Sequence, residues 1–397
     1  MLHEKTIVLG VTGGIAAYKA AELTRLYVKA GAEVHVIMSR GAREFITPLT
    51  LQTLSSNPVH TEMFNLLSER EVGHISLADR ADVFVVAPAT ANLVGKIAGG
   101  IADDLLTTTI MATKAPVLVA PAMNVNMWGN PIYQRNQANL EQLGYHFVQP
   151  VEGFLACGWE GKGKLADPAD IFEETVGLTL PSDLRGETVL VTAGPTREEI
   201  DPVRYISNYS SGKMGYAIAR AARLRGAKVV LVSGPSALPQ PVGVERICVT
   251  SAAEMKEAVL SRCDEATIIV KAAAVADYRP AHRAEHKMKK HDTDLLNLEL
   301  EKNPDILSEL GRRKGHRILV GFAAETRDLL ENARRKLTEK NLDLIVANDI
   351  TEQHAGFDVD TNVVRLLAPD GSEEILPEMS KDEVAHRLLD RIHALRG

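Results

Sequence analysis

TIVLGVTGG, residues 6–14, is an apolar, largely β-branched run that ends in two glycines. Such a run is typical of a buried strand, and the Ala-rich residues 15–30 that follow predict a helix. TVLVTAG, residues 188–194, repeats the strand-to-glycine opening in the second half of the chain. A strand, a turn and a helix begin a βαβ unit, so each half is predicted to build a parallel sheet with right-handed crossovers.

Further apolar runs predict the other strands, at residues 33–38, 83–87, 117–120, 228–233, 267–272, 318–322 and 344–347. The fold class is therefore α/β, with two doubly wound, mostly parallel-sheet, Rossmann-like domains. Pro, Ser, Asp and Gly cluster at residues 180–186, after a predicted helix at 169–176. That cluster places the domains at residues 1–180 and 186–397. Residues 381–395 predict a terminal amphipathic helix.

Composition excludes several classes of protein. The chain has 397 residues, 45% of them hydrophobic, and a net charge of −7. This balance argues against a nucleic-acid partner, which requires a basic face. Cys157, Cys248 and Cys263 show no CxxC spacing, so neither a zinc site nor a disulfide framework is indicated. No signal peptide is recognisable and no apolar run approaches the ~18 residues of a membrane span. These features predict a cytoplasmic protein without a membrane partner.

In the first half, polar or glycine residues follow the ends of four predicted strands. They are Gly13 and Gly14, Ser39 and Arg40, the PATAN segment at residues 88–92, and the AMNVNMW segment at residues 122–128. Ligands of open parallel sheets lie beyond these strand ends, and backbone N–H groups at a helix start suit a phosphate. The GxGxxG spacing and the acidic ribose ligand of dinucleotide sites are absent from the sequence, which favours a mononucleotide. A tight turn without a ligand is the alternative.

Two titratable residues of this half are candidates for proton transfer. His74 precedes an amphipathic helix, where a lone histidine is usually a capping or surface residue. Cys157 lies in the glycine-rich residues 153–164, predicted to be a mobile loop that closes over a site, where a thiol could donate a proton. The alternative for Cys157 is an ordinary loop cysteine.

Residues 1–178 resemble the homo-oligomeric flavin-containing cysteine decarboxylases, through GGIAAYK, His74, PATAN, PAMNVNMW and ACG. That family includes phosphopantothenoylcysteine decarboxylases and lantibiotic-processing enzymes, and the resemblance implies a flavodoxin-like domain that binds FMN. It places the cofactor near Gly13, Gly14, Ser39, Pro88, Ala89, Thr90, Ala91 and Asn92. It also implies His74 as the base, Asn124 as the holder of the substrate carboxylate, and Cys157 as a proton donor on a flap. PATAN departs from the commoner PASAN but keeps the hydroxyl.

The chemistry of decarboxylation explains why a flavin, a group that holds the carboxylate and a proton donor occur together. Losing CO2 from a cysteine-type carboxylate leaves electrons on carbon without an adjacent sink. Oxidation of the thiol to a thioaldehyde provides that sink, so a redox cofactor is needed although no net oxidation occurs. An uncharged amide such as Asn124 holds the carboxylate without stabilising the ground state as strongly as arginine would.

The second half contains a long polar segment, TREEIDPVRYISNYSSGKMG, at residues 196–215. Arg197 and Arg204 supply cationic forks, and residues 210–215 lead into a predicted helix at 216–225. The final Ser or Thr of a Walker A motif is missing, so the segment is interpreted as another kind of anion cradle. A plain N-cap is the alternative.

Two further clusters carry charge. Asp277 ends the predicted strand of KAAAVADYR, residues 271–279, where a divalent ion such as Mg²⁺ or a ribose could bind. HKMKKH, residues 286–291, is a basic run of the kind that usually forms a solvated face, although Lys287 could reach a nucleotide phosphate.

Residues 186–397 resemble phosphopantothenate–cysteine ligases, through residues 196–215, AAVADYRP, KMKK, KNPDI and GFAAET. The resemblance implies that CTP activates a carboxylate as an acyl-cytidylate, which the cysteine amine then attacks, with Mg²⁺ offsetting the phosphate charge. It implies that Asn208 contacts the acyl intermediate or its phosphopantothenate part, and that Arg204 and Lys287 serve the chemistry. The implied CTP-binding residues are Ala273, Asp277, Lys287, Pro304, Asp305, Ile306, Leu307, Phe322, Lys336 and Lys340.

Both resemblances on one chain indicate a bifunctional enzyme of coenzyme A biosynthesis that acts on 4′-phosphopantothenate, L-cysteine and CTP. They imply a homo-oligomer with a trimeric flavin domain and a dimeric ligase domain, a combination that a dodecamer satisfies. One alternative is a regulatory flavin-binding protein, which predicts the loss of His74, Asn124 or Cys157. The other is a nicotinamide-dependent oxidoreductase, which requires the missing GxGxxG fingerprint.

Overall fold

The chain divides between Pro181 and Ser182 into two units, each with its own central sheet. The computed structural model describes residues 2–63, 73–154, 158–289, 297–325, 328–349 and 359–396. Within those ranges, no helix has the length and apolarity to cross a bilayer.

The first unit contains eight strands and eight α-helices among its described residues. The strands are β1 (Thr6–Val11), β2 (Glu33–Met38), β3 (Val59–His60), β4 (Val83–Ala89), β5 (Val117–Pro121), β6 (His146–Phe147), β7 (Val151–Phe154) and β8 (Glu160–Lys164). The helices are α1 (Lys19–Lys29), α2 (Pro48–Ser55), α3 (Gly73–Arg80), α4 (Ala91–Ala98), α5 (Leu105–Ala112), α6 (Val125–Trp128), α7 (Pro131–Gln142) and α8 (Pro168–Thr179). The helix predicted to start at Ile15 begins with a 3₁₀ turn, Ile15–Tyr18.

Six strands of this unit form a parallel sheet in the order β3-β2-β1-β4-β5-β6. The central strands β1 and β4 are almost wholly buried, as their continuous apolar sequences predict. Connections from β1 and from β4 run in opposite directions along the sheet, which opens a crevice at the carboxyl ends of this pair. The doubly wound architecture predicted for this half is confirmed.

The sequence predicted a mobile loop over the glycine-rich residues 153–164, whereas the described part of this segment is regular structure. Their described part forms an antiparallel hairpin of β7 and β8. Gly163 allows the hairpin to approach the start of α6, because a Cβ at this position would lie 2.4 Å from the Met123 carbonyl oxygen. The Met123 N–H donates to the Gly163 carbonyl at 2.9 Å. Gly163 therefore serves close packing of the hairpin against the segment before α6.

The second unit contains twelve strands and five α-helices among its described residues. The strands are β9 (Thr188–Ala193), β10 (Arg197–Glu199), β11 (Tyr205–Ser207), β12 (Lys228–Ser233), β13 (Glu245–Cys248), β14 (Ile268–Lys271), β15 (Tyr278–Pro280), β16 (Leu300–Lys302), β17 (Ile318–Glu325), β18 (Leu344–Asp349), β19 (Thr361–Leu367) and β20 (Glu373–Ser380). The helices are α9 (Lys213–Leu224), α10 (Ala252–Arg262), α11 (Ile306–Arg312), α12 (Leu329–Glu339) and α13 (Lys381–Ala394).

Eight of these strands form one sheet in the order β13-β12-β9-β14-β17-β18-β19-β20. The first six are parallel, as predicted, whereas β19 and β20 are antiparallel additions that the sequence did not reveal. Alternate strand residues face two hydrophobic cores, one shared with α9 and α13 and the other with α10, α11 and α12. The α/β class is thus confirmed for both units.

Candidate active sites

A cavity of about 470 Å³ lies at the crevice beside β1 and β4 of the first unit. Its lining is largely apolar, with the start of α4 and the segment before α6 contributing polar groups. Five predicted site residues line it: Gly13, Gly14, Thr90, Ala91 and Asn124. A cavity of this size and character suits a small organic cofactor or substrate.

Thr12, for which no role was predicted, lies at the end of β1 beside the cavity-lining Gly13. Its hydroxyl donates to the Pro88 carbonyl at 2.7 Å and accepts from the Thr90 N–H at 3.0 Å. Thr90 in turn caps α4 by accepting from the Leu93 N–H at 3.4 Å. One buried hydroxyl therefore joins the ends of the two strands and positions the PATAN segment.

Gly13 and Gly14, which follow β1, are glycine for different structural reasons. A Cβ on Gly13 would lie 2.7 Å from the Gly41 carbonyl carbon, so backbone packing alone requires glycine there. A Cβ on Gly14 would meet nothing closer than a Thr90 methyl at 4.0 Å, and Gly14 lines the cavity. Gly14 therefore leaves backbone accessible to a ligand, as the phosphate hypothesis requires.

Four predicted cofactor residues do not line the cavity. Ser39 follows β2, and its N–H donates to the Val11 carbonyl at 3.0 Å. Pro88 and Ala89 belong to the buried end of β4, and Asn92 is exposed on α4. These residues shape the edge of the sheet around the cavity, and their assignment to the cofactor stays a prediction.

Asn124 combines a structural role with a position on the cavity wall. Its Oδ1 caps α6 by accepting from the Asn126 N–H at 2.8 Å. Met123 and Met127 line the cavity beside it, whereas Trp128 is buried against Tyr133 with ring centroids 5.2 Å apart. The cap fixes the amide, and the two thioethers make its surroundings apolar.

His74 does not join Asn124 on the wall of the cavity. His74 lies in the first turn of α3, outside the cavity lining. Its Nδ1 is buried and has no hydrogen-bond partner in the described part of the chain. A buried ring nitrogen of this kind is costly unless a ligand or another molecule satisfies it. Cys157 lies outside the described residues.

A larger cavity of about 940 Å³ lies in the second unit. Ten predicted residues line it: Asn208, Ala273, Asp277, Pro304, Asp305, Ile306, Leu307, Phe322, Lys336 and Lys340. Six lysines contribute to the wall: Lys213, Lys271, Lys302, Lys336, Lys340 and Lys381. Only two aspartates, Asp277 and Asp305, oppose them within the described lining, so the cavity suits a strongly anionic ligand.

Asp305 organises one wall of this cavity. Its Oδ1 caps α11 by accepting from the Ser308 N–H at 2.9 Å, and its Oδ2 forms an ion pair with Lys340. Burial alone would raise the pKa of Asp305, but the hydrogen bonds from Lys340 and Ser308 outweigh it and lower the pKa. The carboxylate therefore stays charged and holds Lys340 at the wall.

Lys271, at the end of β14, also belongs to this wall, although no role was predicted for it. Burial lowers the pKa of its ammonium to about 8, while Asp305 and Asp277 partly oppose this shift. A lysine with such a pKa titrates close to physiological pH.

Arg204 and Lys287 do not line the larger cavity. Arg204 is committed to the buried Asp201, with Nε 3.0 Å from Oδ2, and holds the pKa of that carboxyl well below its usual range. It also donates to the Met288 carbonyl at 2.9 Å, next to the exposed Lys287. Arg204 therefore anchors the segment that carries Lys287. Lys290 and His291 of the basic run lie outside the described residues.

The described residues contain no cluster of three or more His, Cys, Asp or Glu side chains that could hold a metal ion. Mg²⁺ is commonly bound by one or two carboxylates together with substrate phosphates and water. Asp277 lines the larger cavity, and its assignment to Mg²⁺ stays a prediction.

Comparison with known proteins matches each unit to a protein family. The first matches the family model "Flavoprotein" over residues 1–180, and the second matches "DNA/pantothenate metabolism flavoprotein C-terminal domain" over residues 184–395. The coenzyme A biosynthesis bifunctional protein CoaBC of Bacillus subtilis is 52% identical over 399 residues, covering 100% of this chain and 98% of that protein. The chain belongs to this family. CoaBC of Escherichia coli K12 is 47% identical, covering 98% of this chain and 97% of that protein.

Two solved structures resemble the separate units of this family member. The C-terminal domain of a CoaBC protein is 45% identical, with a TM-score of 0.47, and the match covers 54% of this chain and 97% of that one. The FMN-binding protein AtHal3 is 34% identical, with a TM-score of 0.39, and the match covers 44% of this chain and 96% of that one.

Proposed function

We propose that this chain is a bifunctional enzyme of coenzyme A biosynthesis. Residues 186–397 join L-cysteine to 4′-phosphopantothenate with CTP and release CMP and diphosphate. Residues 1–180 decarboxylate the product, 4′-phospho-N-pantothenoylcysteine, to 4′-phosphopantetheine. The full-length similarity to CoaBC proteins carries this proposal. The two cavities support it, because one is largely apolar and the other is lined with lysines.

FMN fits the smaller cavity. Gly14 leaves its backbone open there, and the start of α4 offers N–H groups to a phosphate. The apolar remainder of the wall suits an aromatic ring system, and membership of the flavoprotein family supports a flavin. When bound, FMN supplies a reversible two-electron acceptor for the substrate thiol.

The residues around this cavity would prepare the carboxylate to leave. We assign the Asn124 amide to the substrate carboxylate, with Met123 and Met127 excluding water. Low polarity favours loss of a charged carboxylate as neutral CO2. His74 is assigned as the base and Cys157 as the proton donor.

A neighbouring copy of the chain would complete the decarboxylase site. His74 lies outside the cavity lining of its own chain, and its buried Nδ1 lacks a partner in the described ranges. Bringing His74 of one copy to the cavity of another resolves both observations. We therefore propose a trimeric flavin unit, combined with a dimeric ligase unit in a dodecamer.

The larger cavity would activate the carboxylate of 4′-phosphopantothenate. A carboxylate does not react with amines at neutral pH, so a phosphoryl leaving group must first be attached. The lining lysines, together with Mg²⁺ held by Asp277, offset the charge of the triphosphate. Asn208 donates to the Ala274 carbonyl at 3.1 Å, which holds its side chain at the cavity for contact with the acyl group. We place both reactions in the cytoplasm, where the cysteine substrate stays reduced.

Nucleotide binding is expected to weaken as the pH rises through about 8, because Lys271 loses its charge there. The folded-state pKa is lower than the usual lysine value, so the ammonium is present below about pH 8 and absent above it. Titration calorimetry with CTP at pH 7 and pH 9 should show an affinity loss of about fivefold to tenfold. Lys271→Met should remove most of this pH dependence. A wild-type affinity independent of pH would contradict the role.

The flavin assignment can be tested on the purified full-length protein. We expect a yellow protein that releases about one FMN per chain on denaturation. A colourless protein that does not take up added FMN would refute the decarboxylase assignment. Binding of a nicotinamide cofactor instead would favour the oxidoreductase alternative.

A further inference from the structure

Two lysines, Lys19 and Lys164, line the smaller cavity of the first unit. No Asp or Glu lines this cavity within the described part of the chain, so no carboxylate on its wall opposes the two ammonium charges. Lys164 also has no ion-pair partner among the residues that the structure describes. A cation on a cavity wall without an opposing carboxylate attracts an anionic ligand.

The two lysines belong to different sides of the cavity. Lys19 is the first residue of α1 and follows the Gly14 turn, where the cofactor phosphate is proposed to bind. Lys164 is the last residue of β8. Its neighbour Gly163 is joined to Met123 by the 2.9 Å backbone hydrogen bond, and Met123 precedes Asn124. Lys164 is therefore on the side of the cavity that is assigned to the substrate.

The hairpin of β7 and β8 sets the position of the Lys164 side chain. A Cβ on Gly153 of β7 would lie 3.7 Å from the Lys164 Cδ, so the aliphatic stem of the lysine runs alongside this glycine. Lys164 is exposed to solvent although it lines the cavity. A lysine of this kind packs its stem against the protein and keeps its ammonium at the water-filled opening.

The proposed decarboxylase substrate carries two anionic groups, a carboxylate and a 4′-phosphate. The carboxylate leaves as neutral CO2, so a cation bound to it would stabilise the ground state more than the transition state. The phosphate keeps its charge throughout the reaction, and a cation bound to it does not oppose the chemistry. The uncharged Asn124 amide thus suits the carboxylate, and Lys164 suits the phosphate.

We propose that Lys164 binds the 4′-phosphate of the decarboxylase substrate and thereby selects the phosphorylated compound. This inference rests on the proposed decarboxylase function. The ammonium forms a charge-assisted hydrogen bond with a phosphate oxygen, and this bond is equally strong before and during loss of CO2. An interaction of that kind lowers KM and leaves kcat unchanged.

The test compares 4′-phospho-N-pantothenoylcysteine with N-pantothenoylcysteine, which lacks the phosphate. Both are supplied to the purified full-length protein with bound FMN, and CO2 release is measured. The wild-type KM is expected to be about tenfold or more higher for the unphosphorylated compound. Lys164→Met should raise KM for the phosphorylated compound about tenfold, change KM for the other less than about twofold, and leave kcat unchanged. Lys164→Arg keeps the charge and should stay within about threefold of wild type.

Lys162→Met is the matched control, because it removes the same charge from the same strand. The Lys162 Nζ lies 5.4 Å from the centroid of the Trp128 ring, and Lys162 does not line the cavity. Loss of this cation–π contact affects the hairpin and not the phosphate. The ratio of the two KM values should therefore stay at the wild-type value. FMN content and ligation activity check that each variant is folded.

An unchanged KM for the phosphorylated compound in Lys164→Met, or an equal rise for both compounds, would overturn the inference while leaving the decarboxylase function intact. Weaker FMN binding with an unchanged ratio of KM values would assign Lys164 to the cofactor phosphate and would also overturn it. If the wild-type protein decarboxylates neither compound, the proposed decarboxylase function itself fails, and this inference fails with it.

Discussion

Asn124→Asp is expected to lower decarboxylation of supplied 4′-phospho-N-pantothenoylcysteine by about 1000-fold while ligation continues at the wild-type rate. The Asn124 Oδ1 accepts a hydrogen bond from the Asn126 N–H, and aspartate can accept the same bond. The helix cap is therefore kept. The variant loses the amide donor and places a negative charge opposite the substrate carboxylate in an apolar cavity, which costs several kcal/mol. Release of CO2 under saturating substrate measures the effect.

Asn130→Asp is the matched control for this variant. Asn130 caps α7 by accepting from the Ile132 N–H at 2.9 Å, so it has the same local geometry as Asn124. It does not line the cavity. Decarboxylation should therefore persist in Asn130→Asp. Wild-type decarboxylation by Asn124→Asp, or an equal loss in Asn130→Asp, would remove Asn124 from the site.

Lys340→Met is expected to lower kcat/KM for CTP in the ligation reaction by about 100-fold. The variant removes a cation from the cavity wall and leaves the Asp305 carboxylate without its ion-pair partner. The unpaired carboxylate on the cavity wall then repels phosphate, which adds to the loss of the lysine's attraction. The rate of diphosphate release in the presence of 4′-phosphopantothenate and cysteine measures the effect.

Lys314→Met breaks a similar ion pair outside the cavity. Lys314 lies 2.6 Å from Asp343, and neither residue lines the cavity. We expect ligation by this control to stay within about twofold of wild type, because neither residue of the pair reaches the cavity. Both variants should decarboxylate supplied substrate normally. If Lys340→Met and Lys314→Met ligate equally well, Lys340 does not serve the nucleotide.

The parallel part of each sheet was predictable because buried parallel strands are continuous apolar runs. TIVLGV of β1 is an example, and the strand that begins at Ile318 is another. Glycines and polar residues at the ends of such strands can also be located from the sequence alone. They mark the edge of the sheet at which ligands bind. The prediction that Asp277 and Asn124 line cavities follows from that rule, and the structure places both on cavity walls.

Other features depend on contacts between distant residues and were not predictable. Thr12 acquires its role through hydrogen bonds with Pro88 and Thr90, 76 and 78 residues away. Asn362 reaches the larger cavity because β19 is antiparallel, and no local pattern marks that reversal of direction. Arg204 resembled a free cation in sequence, but it is paired with the buried Asp201. Local sequence gives a residue type and a spacing, whereas pairing across elements decides whether a charge is available.

Incubation of the purified full-length protein with 4′-phosphopantothenate, L-cysteine, CTP and Mg²⁺ tests the central claim most directly. We predict that CMP, diphosphate and CO2 are released in equal amounts and that 4′-phosphopantetheine accumulates. Omission of cysteine should abolish CO2 release. If nucleotide is consumed without CO2, or if neither CMP nor CO2 appears, the assignment of two sequential reactions to this chain is contradicted.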